Sequence, residues 1–235
     1  MTPRRTAHPP LTRERIVTAA MGILDDDGVE ACSMRRLAVA LGVDASSLYY
    51  HVQDRAALLD LIVDEILGGI ELTAHAPSTT FVDQVVAASV EYRRALLRHP
   101  RAVALIAVRP LHTPAQLRVI EALSRIFTGS GFSPVEALIA LDSCGMTILG
   151  LTNMHAAGLS GPTDEPPTAV QDAVDDHDAE GLSPEFARLL AEADRVDGDL
   201  EFERALRALA TGLLTLHETG TLAPARSGPD DGGLR

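Results

Sequence analysis

The sequence predicts an all-α protein in two parts, and three observations carry that prediction. Apolar residues recur at three- and four-residue spacing, the period of a helix face. No segment alternates apolar and polar residues between hairpin turns, as a half-buried strand would. Capping residues open the periodic runs and glycine or proline closes them, which is how helices start and stop. At 235 residues and 46% hydrophobic, the chain has enough apolar material for a packed core.

The elements follow in order. Thr12 is a candidate N-cap, Leu11 can staple on Ile16, and Ile16, Ala20, Ile23 and Leu24 mark a stripe ending near Asp27-Gly28. Ser33 caps a short second helix whose inward residues are Leu37, Val39 or Ala40, and Leu41, with Gly42 as its stop. Gly42-Val43-Asp44 reads as a turn, and Asp44 as the N-cap of a third helix with Leu48 and Val52 inward. Ala45, Ser46, Tyr49 and Tyr50 cannot all be buried with that pair. Asp54 starts a fourth helix with Leu58, Leu59, Ile62 and Ile66 inside, running to Gly68-Gly69.

A Pro/Ser/Thr loop over 76–80 precedes a long helix from Phe81 to Arg98, which His99-Pro100 ends. A short helix reaches Arg109-Pro110, and Thr113-Pro114 opens another. Ser133-Pro134-Val135-Glu136 is a capping box, after which the chain is nearly apolar to Ala157. Glu136, Asp142, Asn153 and His155 interrupt that run, so it reads as a helix buried on most of its circumference and not as a membrane span. An acidic stretch from Gly158 to Leu182 reads as a mobile loop, Ser183-Pro184 restarts a helix, and Phe202, Leu206, Leu209, Leu213 and Leu216 stripe the last one. The expected organisation is a flexible arm over 1–10, a first unit with its connector helix over 11–70, a second helical domain over 71–220, and a mobile tail over 221–235.

A net charge of -13 argues against a nucleic-acid partner at face value. The distribution of charge weakens that objection. Acids dominate from Asp164 to Glu201, whereas Arg4, Arg5, Arg13, Arg15, Arg35, Arg36 and Arg55 gather near the other end, and a DNA-facing surface need only be locally basic. All 20 basic residues are arginine, which favours a GC-rich bacterial genome. Met1 to Pro10 holds no apolar run, so a cytoplasmic location is expected. Cys32 and Cys144 lie far apart without metal-ligand spacing, and both read as free, buried thiols. No cofactor or metal is implied.

Two short helices around a glycine turn, the second with polar and aromatic residues outward, have the geometry that enters a major groove. Ala45, Ser46 and Ser47 are small enough for close approach, and Ala45 can meet a thymine methyl. Tyr49, Tyr50 and His51 can donate to the DNA backbone, Arg35 can reach a guanine edge, and Arg55 sits where a phosphate is favoured. Periodicity alone leaves a second reading open, in which Tyr49-Tyr50-His51 is an aromatic cluster at the core edge and the arginines are solvated.

The words Met34-Arg35-Arg36-Leu37-Ala38, Leu41-Gly42-Val43, Ser47-Leu48-Tyr49-Tyr50-His51-Val52 and Arg55-Ala56-Ala57-Leu58-Leu59-Asp60 decide between the two. Together, over Thr12 to Leu67, they resemble the tetracycline-repressor family of bacterial regulators. The resemblance implies base contacts from Arg35 and Ser46, an apolar contact from Ala45, and phosphate or groove-edge contacts from Ser33, Ser47, Tyr49, His51 and Arg55. Ala45 replaces a longer polar residue of the tetracycline repressor, which implies a different operator.

The resemblance extends through Tyr92-Arg93-Arg94-Ala95-Leu96-Leu97-Arg98-His99, Arg109-Pro110, Gly131-Phe132-Ser133 and the run from Ala137 to Gly150. It implies a ligand pocket in the sensing domain and a homodimer formed by the last two long helices as a four-helix bundle. Family members that sense tetracycline hold its magnesium partly through a histidine before the Arg-Pro pair and another in the long apolar helix. Leu105 and Met146 stand at the matching positions and cannot ligate a hard cation, so the effector is expected to be some other small molecule. Tyr92, Leu105, Ile106, Arg109, Met146, Asn153 and His155 are expected to line an apolar cavity with a few polar fixtures, although His155 also fits a hydrogen-bonded core or interface position.

An enzyme is not expected. His99, His112, His155, His177 and His217 are scattered, and no nucleophile with an adjacent base or glycine-rich phosphate loop is present. The expected function is a repressor of a pseudo-palindromic double-stranded DNA operator, released by a small-molecule effector, with no membrane partner. An activator, or a constitutive DNA binder without a sensor, is the alternative.

Overall fold

A computed structural model describes residues 10–70, 79–109, 113–157, 183, 185–186 and 197–223. Among these residues there are α-helices and short 3-10 turns and no strand. The arm over 1–9, the loop over 158–182, Pro184 and the tail beyond 223 lie outside the described residues. The chain packs as two compact units: one of residues 1–70 and 94–118, the other of 71–93 and 119–235.

In the first unit, α1 (Arg13–Asp27) starts where the Thr12 side chain accepts a hydrogen bond from the Arg15 N–H, and ends at Gly28 with φ of 82°. That dihedral suits glycine because a Cβ would clash. A 3-10 turn, Val29–Ala31, leads to α2 (Met34–Leu41), α3 (Ala45–Tyr49) and α4 (Arg55–Gly68). Ile16, Leu24, Leu37, Leu48, Leu58 and Ile62 are fully or almost fully buried and form its core. α2 turns inward Met34, Leu37, Ala38 and Leu41. The expectation of Val39 or Ala40 inside is therefore corrected: Val39 is 77% exposed, because the 3.6-residue period that carries Leu37 and Leu41 takes Ala38 with them.

The rest of this unit comes from later in the chain. It comprises the end of α5 (Phe81–Leu97), a 3-10 turn at Pro100–Ala102, α6 (Val103–Val108) and the start of α7 (Pro114–Gly129). Three successive acids end α1, where the helix dipole disfavours negative charge. Basic groups answer at two of them and at the backbone between: His99 Nδ1 donates to the Asp25 carboxylate at 2.9 Å, Arg36 donates to the Asp27 carboxylate, and Arg101 donates to the backbone carbonyl of Asp26. Asp64 of α4 accepts from the Ala115 N–H at 2.8 Å, satisfying one of the orphan amides of α7.

The second unit holds the first part of α5, the rest of α7, α8 (Pro134–Ala156) and α9 (Gly198–Glu218). Ser133 and Glu136 close a capping box at the start of α8. Ala137, Ala140, Cys144, Ile148 and Thr152 form its buried face, and α8 packs on α9. Phe81, Phe127 and Phe132 cluster at one end, with His217 stacked on Phe132 at 4.2 Å. By length and composition α8 could cross a membrane, yet its buried face is covered by protein. The expectation that α8 is buried on most of its circumference is corrected too, since Val135, Leu138, Met146 and Met154 lie exposed. On α9, Phe202, Leu206 and Leu213 are buried, whereas Leu216, the last of the predicted stripe, is exposed. Cys32 and Cys144 are free and buried, and burial pushes the Cys144 thiol up to about 11.

Candidate nucleic-acid interface

The helix-turn-helix is set by local chemistry. Ser33 caps α2 by accepting from the Arg36 N–H at 3.3 Å. Gly42 leaves the helix in the left-handed conformation with φ of 65°, and the Val43 N–H then reaches back to the Ala38 carbonyl at 3.1 Å, as in a Schellman stop. Asp44 takes the N-cap position of α3 with no side-chain capping bond. Leu48 and Val52 are buried, and the Val52 N–H donates to the Leu48 carbonyl at 2.8 Å. These two anchors hold the short α3 against the core.

What they leave outside is the candidate reading surface. Ala45, Ser46, Ser47, Tyr49, Tyr50 and His51 are all exposed. Tyr50 is 90% exposed and meets His51 edge-on with ring centroids 5.4 Å apart. A core-edge aromatic cluster is incompatible with that exposure. Arg35, also exposed, makes no hydrogen bond or ion pair among the described residues, whereas its neighbour Arg36 is spent on Asp27. Arg55 has partners that the sequence did not suggest: its guanidinium donates to the Cys32 carbonyl and to the Val29 carbonyl, each at 2.9 Å.

A link from later in the chain reaches this head within the same unit. At the end of α6, Arg109 Nε donates to Asp60 of α4 at 2.7 Å, and Nη2 donates to the Ala56 carbonyl at 3.0 Å. Nothing in the sequence pattern singles out Asp60 as its partner.

The second unit contains a charged cluster that the sequence reading missed. Arg93 is only 5% exposed. It donates to Asp199 at 2.6 Å and to His155 Nδ1 at 3.2 Å, and its guanidinium carbon lies 4.6 Å from the centre of the Phe202 ring. An arginine only donates, so His155 must accept at Nδ1 and carry its proton on Nε2. Arg93 Nε is buried without a partner among the described residues. One signal was available: Arg93 stands seven residues after Val86, three after Val90 and three before Leu96, and so falls on the apolar side of α5.

Comparison with known proteins finds two matches in succession along the chain. Residues 16–62 match the family described as bacterial regulatory proteins, tetR family, and residues 75–217 match the tetracyclin repressor-like C-terminal domain. The chain belongs to the TetR family. It is a DNA-binding transcriptional regulator and not an enzyme. A transcriptional regulator of Saccharopolyspora erythraea is 37% identical over 60% of this chain and 60% of its own length. The class D tetracycline repressor of Escherichia coli is 29% identical over 86% of this chain and 88% of its own. Among solved structures, apo ActR of Streptomyces coelicolor superposes with a TM-score of 0.75 at 28% identity, covering 91% of this chain and 100% of ActR. ActR has also been solved with actinorhodin, with a TM-score of 0.73.

In this TetR-family chain the seven expected cavity residues are divided between the two units. Leu105 and Ile106 are buried in the first unit, where Arg109 is half-buried. Tyr92 and His155 are half-buried in the second, and burial pushes the Tyr92 phenol up to about 12. Tyr92 packs against the cluster of Val86, Ile148, Phe202 and Leu206. Met146 and Asn153 differ from the expectation of an apolar cavity wall: Met146 is 70% exposed and Asn153 is exposed, on the part of α8 that the described residues leave uncovered. Both lie off the buried stripe of α8, Met146 by two residues from Cys144 and Asn153 by one from Thr152, or roughly 200° and 100° around the helix.

Proposed function

We propose that this regulator is a homodimeric repressor, freed from a pseudo-palindromic operator by a small-molecule effector other than magnesium-tetracycline. The observation that carries the reading is the grip of Arg109 on Asp60 and the Ala56 carbonyl. Arg109 closes α6, and α4 begins six residues after α3 ends. A change at the end of α6 thus acts on the helix that follows the reading helix. Effector binding that favours a conformation with this grip altered would shift the population away from the DNA-competent state.

The dimer reading is supported by the apolar residues that α8 leaves exposed opposite its buried stripe, Val135, Leu138, Met146 and Met154. Monomers seldom expose patches of this kind. Two heads related by a two-fold axis would read half-sites about one DNA turn, roughly 34–36 Å, apart. Leu105 supports the exclusion of magnesium-tetracycline, since a buried aliphatic side chain offers no oxygen or nitrogen to a hard cation. The sensor reading also draws on ActR, which binds actinorhodin, and points to an organic ligand. The operator is in the cytoplasm of a bacterium, where such a protein works.

The test is a gel shift with the duplex that the protein selects from a randomised pool, repeated with small molecules that raise its melting temperature. Release of the duplex at saturating compound is expected. Stabilising compounds that leave the shift intact would sink the induction reading, and sedimentation as a monomer would sink the dimer.

A further inference from the structure

Arg55 opens α4, and the resemblance gives it a phosphate to hold. The structure gives its guanidinium other work. Nε donates to the Cys32 carbonyl at 2.9 Å, Nη2 donates to the Val29 carbonyl at 2.9 Å, and the same Nη2 lies 3.4 Å from Glu30 Oε2. Val29 starts the 3-10 turn and Cys32 closes it. The next residue, Ser33, is the N-cap of α2. One rigid planar fork thus clasps the chain immediately before the helix that carries Arg35.

The far side of that first turn is held as well. The Ser33 hydroxyl accepts from the Arg36 N–H, and the Arg36 side chain donates to Asp27 at the end of α1. Between these two braces Arg35 alone is exposed and without a partner among the described residues. Base readout depends on placing such a fork to within a fraction of an ångström. We propose that Arg55 is a positioning residue for base recognition: it fixes the start of α2 so that Arg35 meets its base, beyond any contact of its own with phosphate. This rests on the reading of Arg35 as a base contact.

Lysine separates the two roles. It keeps the positive charge for a phosphate, but an ammonium cannot bridge two carbonyls in the plane of a guanidinium. Affinities of the wild type, Arg55→Lys, Arg55→Gln, Arg35→Ala and the Arg35→Ala/Arg55→Lys double variant are measured by fluorescence anisotropy. The duplexes are the one selected from a randomised pool and a series with each base pair changed, at several salt concentrations. Arg55→Lys is expected to lose about tenfold in discrimination, or about 1.4 kcal/mol, at the base pair where Arg35→Ala loses it. Its salt slope should be unchanged, and the double variant should discriminate no worse than Arg35→Ala.

Two results overturn the positioning role while leaving the Arg35 reading intact. One is Arg55→Lys discriminating like the wild type while Arg35→Ala does not. The other is Arg55→Gln losing affinity equally on every duplex with a slope smaller by about 0.9, with Arg55→Lys unaffected. Discrimination retained by Arg35→Ala overturns both readings. Loss of cooperative unfolding in Arg55→Lys also overturns the proposal, since it makes the clasp a support of the whole unit.

Discussion

Arg109 and Asp60 are bonded through Nε at 2.7 Å, and the same guanidinium holds the Ala56 carbonyl one turn earlier on α4. The pair is largely buried, with side-chain exposures of 16% and 26%, so it is screened less than a surface ion pair. Arg109→Gln and Asp60→Asn should each change operator affinity, and the double variant should resemble either single one. A double-mutant cycle on operator binding should return a coupling of about 1–2 kcal/mol. Additive effects would show that the bond is ornamental to DNA binding.

Arg93 and Asp199 make a different point, because the partner of a buried cation sits at the surface: 6% side-chain exposure for one, 80% for the other. An exposed aspartate normally matters little, within about 0.5 kcal/mol. Here its removal leaves Arg93 with one hydrogen bond to His155 and the face of Phe202. Asp199→Ala should therefore destabilise the chain by about 1–2 kcal/mol in urea melts, after allowance for solvent at the carboxylate. A midpoint within error of the wild type would mean that water satisfies Arg93.

The Glu136 carboxyl is held below the usual carboxylate range, first by the Ser133 N–H, then by the Ser133 hydroxyl and by His217. A depressed value means that the unfolded chain binds the proton more readily. The stability this group adds is complete above the ordinary carboxylate pKa and fades as pH falls through the lower folded value. Glu136→Ala should thus melt earlier than the wild type at about pH 7, with the gap narrowing toward about pH 3. A gap independent of pH would assign the loss to lost side-chain contacts and not to the charge.

Much of this architecture is legible in the sequence because it is local. Thr12, Ser33, Asp54 and Ser133 all cap as their side chains imply, and Gly28 and Gly42 stop helices at positive φ. What escapes is tertiary. The α8 run is apolar on nearly every side, so periodicity cannot choose which side its own chain covers, and Met146 and Asn153 fall on the other. Val39 looks like a core residue by type and is not one by phase. The carbonyls that Arg55 holds lie 23 and 26 positions earlier, a distance that no local pattern spans.

Tyr92 supplies a spectroscopic check on the second unit. Burial raises its phenol from an ordinary 10.0 to about 12, so the folded chain keeps this proton after the unfolded chain has lost it. Stability drawn from the neutral phenol is present below about pH 10 and is lost as pH rises through about 12. An absorbance titration of the phenols should show a component that ionises only near pH 12, and Tyr92→Phe should remove it. The same variant keeps the ring packed on the Val86, Ile148, Phe202 and Leu206 cluster, so its melting temperature at neutral pH should shift little. If the late component persists in Tyr92→Phe, the buried phenol belongs elsewhere, and Tyr92 faces water where a ligand could reach its hydroxyl without opening the fold.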